Sequence, residues 1–472
     1  MSTLPEPAVV IAREAGLAHL LTRRQITMIG IGGAIGTGLF MGSGIAIGYA
    51  GPAVLVSYAI AALIAIIMVL SLSEMAVAHP AAGSFGVYAE MYISPWAGFV
   101  VRYTYWAAQV IAIGSEAVAV GVYMGFWFPG VPLWLWAAGF GAVLVAINAR
   151  SVANFGSFEY WFALIKVIAI VLFIVFGLDA IFGLTNGAPI GTHNLTGLPG
   201  GFAPHGFTGI WFGVLMAIFS FYGIELIAVT SGEAENPRTA IPAALRTMAA
   251  RLVLFYGLAI GIMVTIIPWT NVGAAIVTQS PFVRIFADAG VRQAAGVMNF
   301  VVITAALSSM NSALYLASRM AFSLARSGHA PRQLGRLAAN GAPVSATVFS
   351  GLCVLATAGV AWLTPNAYNY LVGVALFGGI LVWIAILCSH LRFRARWRGS
   401  EPVVRTPLFP YAQWLGIVLL VAILVTMAFQ TRAWSVAWLV GVPWIAFLSI
   451  AYWAVRGRAD RPGTADAVAP RV

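Results

Sequence analysis

The chain has 472 residues, of which 61% are hydrophobic and only 8% are charged. A soluble domain carries roughly 25% charged residues, so these values exclude a soluble fold of this length and predict a lipid bilayer as partner. The net charge of +11 does not indicate nucleic acid, because the arginines cluster in short gaps between apolar runs, as in the loops of a membrane protein. Cys353 and Cys388 lie singly in apolar runs and predict neither a disulfide framework nor a zinc site.

Apolar runs of about 20 residues, the length that a helix needs to cross a bilayer, recur along the whole chain. They predict an all-α integral membrane protein with twelve transmembrane helices. The predicted spans are 26–48, 52–78, 96–126, 133–148, 157–178, 207–231, 247–268, 295–322, 344–363, 368–390, 411–429 and 434–455.

Arginine placement predicts the orientation of these helices. If the N-terminus is inside, only Arg284, Arg292 and Arg432 fall in outer loops, and every other arginine falls in an inner loop, in a tail or near the inner end of a span. An excess of basic residues marks the cytoplasmic side of a membrane protein. We therefore expect both termini to be cytoplasmic, with tails at 1–25 and 456–472, a long outer loop at 179–206 and a cytoplasmic loop at 391–410.

The only lysine of the chain, Lys166, falls in the middle of the fifth predicted span. A charge at this depth is costly, so we expect the side chain to face the protein interior. Burial disfavours the charged form of a lysine and so favours loss of its proton. Lys166 is therefore a candidate site for the gain and loss of a proton during transport. The alternative is a static pairing with a carboxylate or with backbone carbonyls.

Two acidic residues, Glu225 in the sixth span and Glu116 in the third, are placed at a similar depth. Each could pair with Lys166, bond to a helix break or hold the amine of a substrate. For Glu116 an interhelical hydrogen bond without further function is an equal alternative.

The first span is unusually rich in glycine, with seven between Gly30 and Gly44. Close helix packing explains some of them, but their density favours a helix that is unwound near Gly36, Thr37 and Gly38. Unpaired backbone survives at this depth only where it lines a cavity. A dinucleotide-binding loop is excluded because no strand precedes these glycines.

A second candidate break lies in the sixth span, at Phe219, Ser220, Phe221, Tyr222 and Gly223, just before Glu225. The ends of an interrupted helix present N–H groups to a carboxylate and carbonyls to a cation, which suits a zwitterion. The two breaks are five helices apart. This spacing predicts two inverted halves of five helices each, at 26–178 and 207–390, followed by two helices at 411–455.

Several segments resemble those of bacterial amino acid permeases. They include RRQITMIGIGGAIGTGLFMGSG (23–44), EMAVAHPAAGSF (74–85), FSFYGIELIAVTSGEAENPRTAIP (219–242) and SSMNSALYLASRMAFSLARSGHAP (308–331). With these segments the chain resembles the proton-coupled amino acid transporter branch of the amino acid–polyamine–organocation superfamily, over nearly its whole length. The resemblance implies a five-plus-five inverted repeat with broken first and sixth helices, a monomer or weak dimer, and location in the cytoplasmic membrane.

The resemblance also implies roles for particular residues. The backbone of Ala34, Ile35, Gly36, Thr37 and Gly38 would hold the carboxylate and amine of an amino acid substrate. At the sixth helix, Phe219, Ser220, Tyr222 and Gly223 would complete the site, with the Phe219 ring as a gate. Lys166 would replace the sodium ion of sodium-coupled relatives, and Glu225, with Glu116, would serve gating or proton coupling.

These features favour a proton-coupled importer of amino acids, with neutral or aromatic side chains preferred by the apolar surroundings of the breaks. They imply no cofactor other than the coupling proton, and no metal site. An exchanger or uniporter, and a permease for lysine or γ-aminobutyrate, remain alternatives. A membrane enzyme is not favoured because no metal-binding or nucleotide-binding pattern occurs, and a channel is not favoured because no pore motif repeats.

Overall fold

The computed structural model describes residues 4–17, 19, 21–148, 152–184, 188–272, 282, 292–339, 341–397, 405–430 and 432–459. Within these ranges the protein is helical, and its one β-type contact is an isolated bridge between Leu21 and Ala234. This confirms the prediction of an all-α chain. Arg284, residues 398–404 of the inner loop and residues 460–472 of the C-terminal tail lie outside the described residues.

The first half of the chain contains helices α1 to α9. Their bounds are Pro7–Arg13 (α1), Arg23–Ala34 (α2), Ser43–Ala50 (α3), Val54–Ala78 (α4), Ser84–Tyr92 (α5), Pro95–Met124 (α6), Leu133–Asn148 (α7), Val152–Phe182 (α8) and His193–Thr196 (α9). The short helices α1, α5 and α9 lie in stretches for which hydropathy predicted no transmembrane helix.

The second half contains helices α10 to α17. Their bounds are Gly206–Ser220 (α10), Leu226–Val229 (α11), Pro237–Ile266 (α12), Arg292–Arg326 (α13), Val344–Leu363 (α14), Ala367–Arg396 (α15), Tyr411–Phe429 (α16) and Arg432–Ala459 (α17). The predicted spans at 133–148, 344–363 and 411–429 match their helices residue for residue, whereas α12 begins ten residues before the predicted start at 247.

Eight helical segments in the described part of the chain are long and apolar enough to cross a membrane. They are Gly38–Ala78, Pro95–Met124, Glu159–Phe182, Gly296–Arg326, Val344–Leu363, Ala367–Arg396, Tyr411–Phe429 and Trp434–Ala454. Three shorter apolar helices accompany them, at Leu133–Asn148, Gly206–Ser220 and Phe255–Ile266.

The apolar residues of α8 divide between two faces. Trp161, Ile168 and Val175 are at least half exposed, whereas Ile170 and Phe173 are buried. An exposed apolar stripe of this length would be unfavourable in water. It is the surface expected of a helix that faces lipid.

Two long helices, α6 and α13, form the centre of the molecule and contact each other along their length, and α15 packs against α6. Both helices are mostly buried and carry the polar side chains that face the interior. The two interrupted helices lie beside this pair, since α2 and α11 each contact α13.

The first predicted span is not one continuous helix. Helix α2 ends at Ala34, residues Ile35 and Gly36 are outside the helix, and a π-helical turn follows at Gly38–Gly42. The prediction of an unwound segment near Gly36 is therefore confirmed by the backbone.

The sixth predicted span is interrupted as well. Helix α10 ends at Ser220, residues 221–225 form turns, and the short helix α11 begins at Leu226. Gly223 has a φ of 102°, a conformation that glycine adopts without a steric cost. This interruption also lies where the sequence predicted it.

Candidate functional site

The two interruptions are in direct contact. A Cβ on Gly38 would lie 2.8 Å from the Cα of Ser220, and a Cβ on Gly223 would lie 2.6 Å from the carbonyl oxygen of Gly33. Side chains at these two positions would collide with backbone, which cannot move aside cheaply. The absence of a side chain is therefore what allows the two broken helices to cross.

A small cavity of about 30 Å³ lies where they cross. The predicted residues that line it are Gly36, Gly38, Glu116, Phe219, Ser220, Tyr222 and Gly223. Among the other predicted residues, Ile35, Thr37, Lys166 and Glu225 do not line the cavity, and Ala34 is the last residue of α2. The cavity has room for water, so a larger guest requires side chains to move.

Glu116 reaches across from α6 to the first interruption. The backbone N–H of Thr37 donates to both carboxylate oxygens, at 3.2 Å each, and the Ser309 hydroxyl donates to Oε1 at 3.3 Å. The N–H of Thr37 belongs to the start of the outer half-helix, which sequence analysis assigned to a substrate carboxylate. The carboxylate of Glu116 thus occupies a position that is suited to the carboxylate of a substrate.

Lys166 is fully buried in α8 and points at the same interruption from the opposite side. Its amine donates to the carbonyl oxygens of Gly32, at 2.6 Å, and Ile35, at 2.7 Å. These carbonyls lie at the C-terminal end of α2, where the helix dipole favours a cation. The carboxylates of Glu159 and Glu116 also attract the ammonium group.

Glu225 lies behind the second interruption and does not line the cavity. It accepts a hydrogen bond from the Tyr105 hydroxyl, at 2.6 Å, and one from the N–H of Gly223, at 3.2 Å. The carboxylate thereby ties α6 to the turn that follows α10. No hydrogen bond joins Glu225 to Lys166 in the described part of the chain.

The aromatic residues of the second interruption are stacked. The rings of Phe219 and Tyr222 have centroids 6.4 Å apart, inclined by 21°. The carbonyl of Phe219 accepts the N–H of Tyr222 at 3.1 Å, and Ser220 bonds to Tyr58 and Tyr256 at 3.0 and 2.6 Å. Side chains of α4 and α12 therefore hold the second interruption in place by hydrogen bonds to Ser220.

Three polar residues that were not predicted also line the cavity. They are Gln109, which lies seven residues before Glu116 on the same face of α6, and Ser309 and Ser312 of α13. The amide nitrogen of Gln109 and the Tyr222 hydroxyl are buried without a well-formed hydrogen bond. A glutamine inside an apolar span, seven residues before Glu116, was the signal that could have identified it.

A second polar network, the N-terminal network, joins Arg13, Glu14, Glu90, Arg102 and Ser323. Arg102 lies 2.9 Å from Glu90, which also pairs with Arg13, and Glu14 accepts from the Ser323 hydroxyl at 2.6 Å. Burial opposes the charge of Glu90, but Arg102 and Arg13 hold the pKa of Glu90 below its ordinary value. Burial raises the pKa of Glu14 even though Arg102 is near.

A family model described as amino acid permease matches residues 25–460. The chain belongs to the amino acid permease family. This confirms the resemblance to permeases of the amino acid–polyamine–organocation superfamily, and it makes the chain a multi-pass membrane protein.

Curated relatives of this permease cover most of its length. The γ-aminobutyric acid permease of Bacillus subtilis (strain 168) is 40% identical over 425 residues, 88% of this chain and 89% of that protein. The aromatic amino acid transport protein AroP of Escherichia coli (strain K12) is 39% identical over 435 residues, 92% of this chain and 94% of that protein. Both names describe transport, which confirms the prediction of a transporter rather than an enzyme.

Proposed function

We propose that this permease imports amino acids across the cytoplasmic membrane by proton symport, with alternating access to a site at the two helix interruptions. The observation that carries the proposal is the contact of Lys166 with the carbonyls of Gly32 and Ile35. It joins the only lysine of the chain to the interrupted helix that lines the cavity.

The proton acts through this contact. A protonated Lys166 satisfies two carbonyls at the end of α2 with charge-assisted hydrogen bonds, which are about twice as strong as neutral ones. Loss of the proton weakens both bonds and removes the positive charge. The proton therefore stabilises one position of α2 more than another. A conformational switch requires such a difference in stability between its two states. The proton is the only coupling ion, and no cofactor takes part.

The substrate binds by its backbone groups at the two interruptions. Its carboxylate takes backbone N–H groups around Gly36, Thr37 and Gly38, and its amine takes carbonyls of the Phe219–Gly223 segment. Glu116, which holds the N–H of Thr37, has to release that N–H or share it when the substrate arrives. The ring of Phe219 closes the site.

The side chain of the substrate is neutral in this proposal, and aromatic residues are preferred. The carboxylates of Glu116 and Glu225 are already hydrogen-bonded to the protein, so neither is free to hold a cationic side chain. γ-Aminobutyrate is the second candidate, since a γ-aminobutyric acid permease is 40% identical to this chain. Its carboxylate and amine fit the same two interruptions at a longer separation.

The proposed architecture has twelve spans. Two inverted five-helix halves, 26–178 and 207–390, precede two further helices at 411–455, and both termini are cytoplasmic. Interruptions in corresponding helices of two such halves are typical of transporters with a central site, and the interruptions at Ile35–Gly36 and at 221–225 support this arrangement. The protein acts as a monomer or weak dimer.

Purified protein in proteoliposomes tests proton symport. We expect an inwardly directed pH gradient to drive accumulation of labelled phenylalanine above the external concentration, and a protonophore to abolish it. Uptake that ignores the gradient and needs internal amino acid would instead show an exchanger. Flux that rises without saturation as the substrate concentration increases would show a channel.

The substrate is tested by competition. Each of the common amino acids and γ-aminobutyrate is added in excess to labelled phenylalanine uptake. We expect the aromatic amino acids to compete strongly and lysine not to compete. Strong competition by γ-aminobutyrate alone would favour the second candidate, and strong competition by lysine would contradict a neutral side chain.

A further inference from the structure

A third buried acid, Glu159, lies beside the proposed proton site and has no role in the mechanism above. It precedes Lys166 by seven residues in α8, so the two side chains lie on one face about 10 Å apart along the axis. Glu159 is fully buried. In the proposed orientation it lies on the cytoplasmic side of Lys166.

Glu159 is held by neutral donors from α13. The Ser308 hydroxyl donates to one carboxylate oxygen, and the Asn311 amide donates to the other at 3.1 Å. The Asn311 oxygen in turn accepts from Asn148 of α7 at 2.7 Å. A hydroxyl can donate or accept, whereas an amide nitrogen only donates, so Ser308 can turn when Glu159 becomes protonated.

Gly32 connects the two ionisable groups. Its carbonyl oxygen accepts the Lys166 amine, and the Glu159 carboxylate occupies the space that a Cβ on Gly32 would take. A shift of α2 therefore alters the surroundings of both groups together. Lys166 and Glu159 also attract each other electrostatically, with Glu116 as the other acid that acts on Lys166.

We infer that Glu159 accepts the proton from Lys166 by way of a bridging water molecule and passes it toward the cytoplasm, an inference that rests on the proposed proton symport. The Lys166 ammonium loses one proton and becomes a neutral amine, while the Glu159 carboxylate gains it and becomes a neutral carboxylic acid. The pair has no net charge before or after the step. A neutral pair also avoids the desolvation cost of two buried ions. Release of the proton to water from Glu159 completes the passage.

The Glu159→Gln variant tests this role, because glutamine keeps the size of the side chain and cannot take up the proton. Two measurements on the whole protein in proteoliposomes are compared. Exchange of external labelled phenylalanine for internal phenylalanine at equal pH needs no net proton movement. Accumulation driven by a pH gradient does.

We expect Glu159→Gln to keep exchange and to lose gradient-driven accumulation, and Glu159→Asp to recover part of the accumulation. Accumulation equal to that of the wild type would overturn the inference. Equal losses of exchange and accumulation, with a lower Tm, would also overturn it, since they indicate a structural role.

A milder variant keeps the test valid if Glu159→Gln does not fold. Ser308→Ala removes one hydrogen bond to Glu159 and should shift the pH of half-maximal uptake, whereas an unchanged pH profile would contradict the inference. Wild-type protein separates the two hypotheses. If its accumulation ignores the pH gradient, proton symport itself fails; if it responds and Glu159→Gln responds equally, only the role of Glu159 fails.

Discussion

The carboxylate of Glu116 accepts the backbone N–H of Thr37 with both of its oxygens, each at 3.2 Å. An acid of α6 thus occupies the end of an interrupted helix where the carboxylate of an amino acid is proposed to bind. Two carboxylates at one N–H group repel each other. The charge of Glu116 is therefore expected to oppose substrate binding, and its protonation to favour it.

The Glu116→Gln variant should bind substrate with an affinity that no longer rises as the pH falls. Glutamine retains an acceptor for Thr37 but carries no charge to titrate. Binding of labelled phenylalanine to purified protein between pH 5 and pH 8 is the measurement, with the wild-type protein as the control. A pH dependence equal to that of the wild type would count against the proposed carboxylate site.

Lys166→Met should abolish gradient-driven uptake while membrane insertion and folding are retained. Methionine fills the same volume but supplies neither the charge nor the hydrogen bonds to Gly32 and Ile35. Lys166→Arg is the control, because it keeps the charge and loses the ability to release a proton. The measurements are uptake in proteoliposomes and monodispersity in detergent. Normal accumulation by the methionine variant would refute the proton site.

Gly38→Val should weaken binding of every substrate to a similar degree. The added side chain would lie against the backbone of Ser220 and separate the two interruptions, at a cost of about 1–3 kcal/mol. Dissociation constants for phenylalanine, alanine and γ-aminobutyrate are the measurement. Gly139→Ala in α7, where nothing lies within 4 Å of the added carbon, is the control. A change of selectivity at unchanged overall affinity would argue against a backbone site.

Gln109→Leu should change substrate preference without affecting dependence on the pH gradient. The amide nitrogen of Gln109 lines the cavity without a well-formed hydrogen bond, so it can donate to a polar group of a substrate. A hydrogen bond of this kind contributes about 1 kcal/mol. We expect tyrosine to lose affinity relative to phenylalanine in competition assays. Equal losses for both amino acids would indicate that Gln109 supports the wall and not the substrate.

The N-terminal network should respond to pH through Glu90. Because the pKa of Glu90 is lowered, its contribution to folding stability is present above the ordinary pKa of glutamate and is lost as the pH falls through its lowered value. Glu90→Gln breaks pairs with Arg13 and Arg102 and should destabilise the protein at pH 7 by about 3 kcal/mol.

Glu14→Gln is the matched variant for this measurement. The raised pKa of Glu14 means that its protonated form favours the fold below the ordinary pKa of glutamate, and that this advantage is lost as the pH rises through the raised value. Glutamine resembles the protonated acid, so we expect a smaller loss of thermal stability than in Glu90→Gln at pH 7. The reverse order of Tm values in detergent would contradict this assignment of charges.

Hydropathy was sufficient to predict the long apolar helices, and glycine density was sufficient to predict the first interruption. These properties are local, since a bilayer requires long apolar helices and tolerates unpaired backbone only at a protected site. The same reasoning placed Lys166 in the interior. The structure adds that glycine at Gly36 and Gly223 avoids a contact that a side chain would make.

The partners of the polar side chains depend on helix packing. Lys166 and Gly32 are 134 positions apart in the chain, and Glu116 reaches Thr37 from another helix, so no local pattern connects them. No local pattern indicated a role for Gln109. Only the crossing of α2, α6, α8 and α13 brings these groups to one place, because a buried polar group bonds to whichever helix lies opposite it.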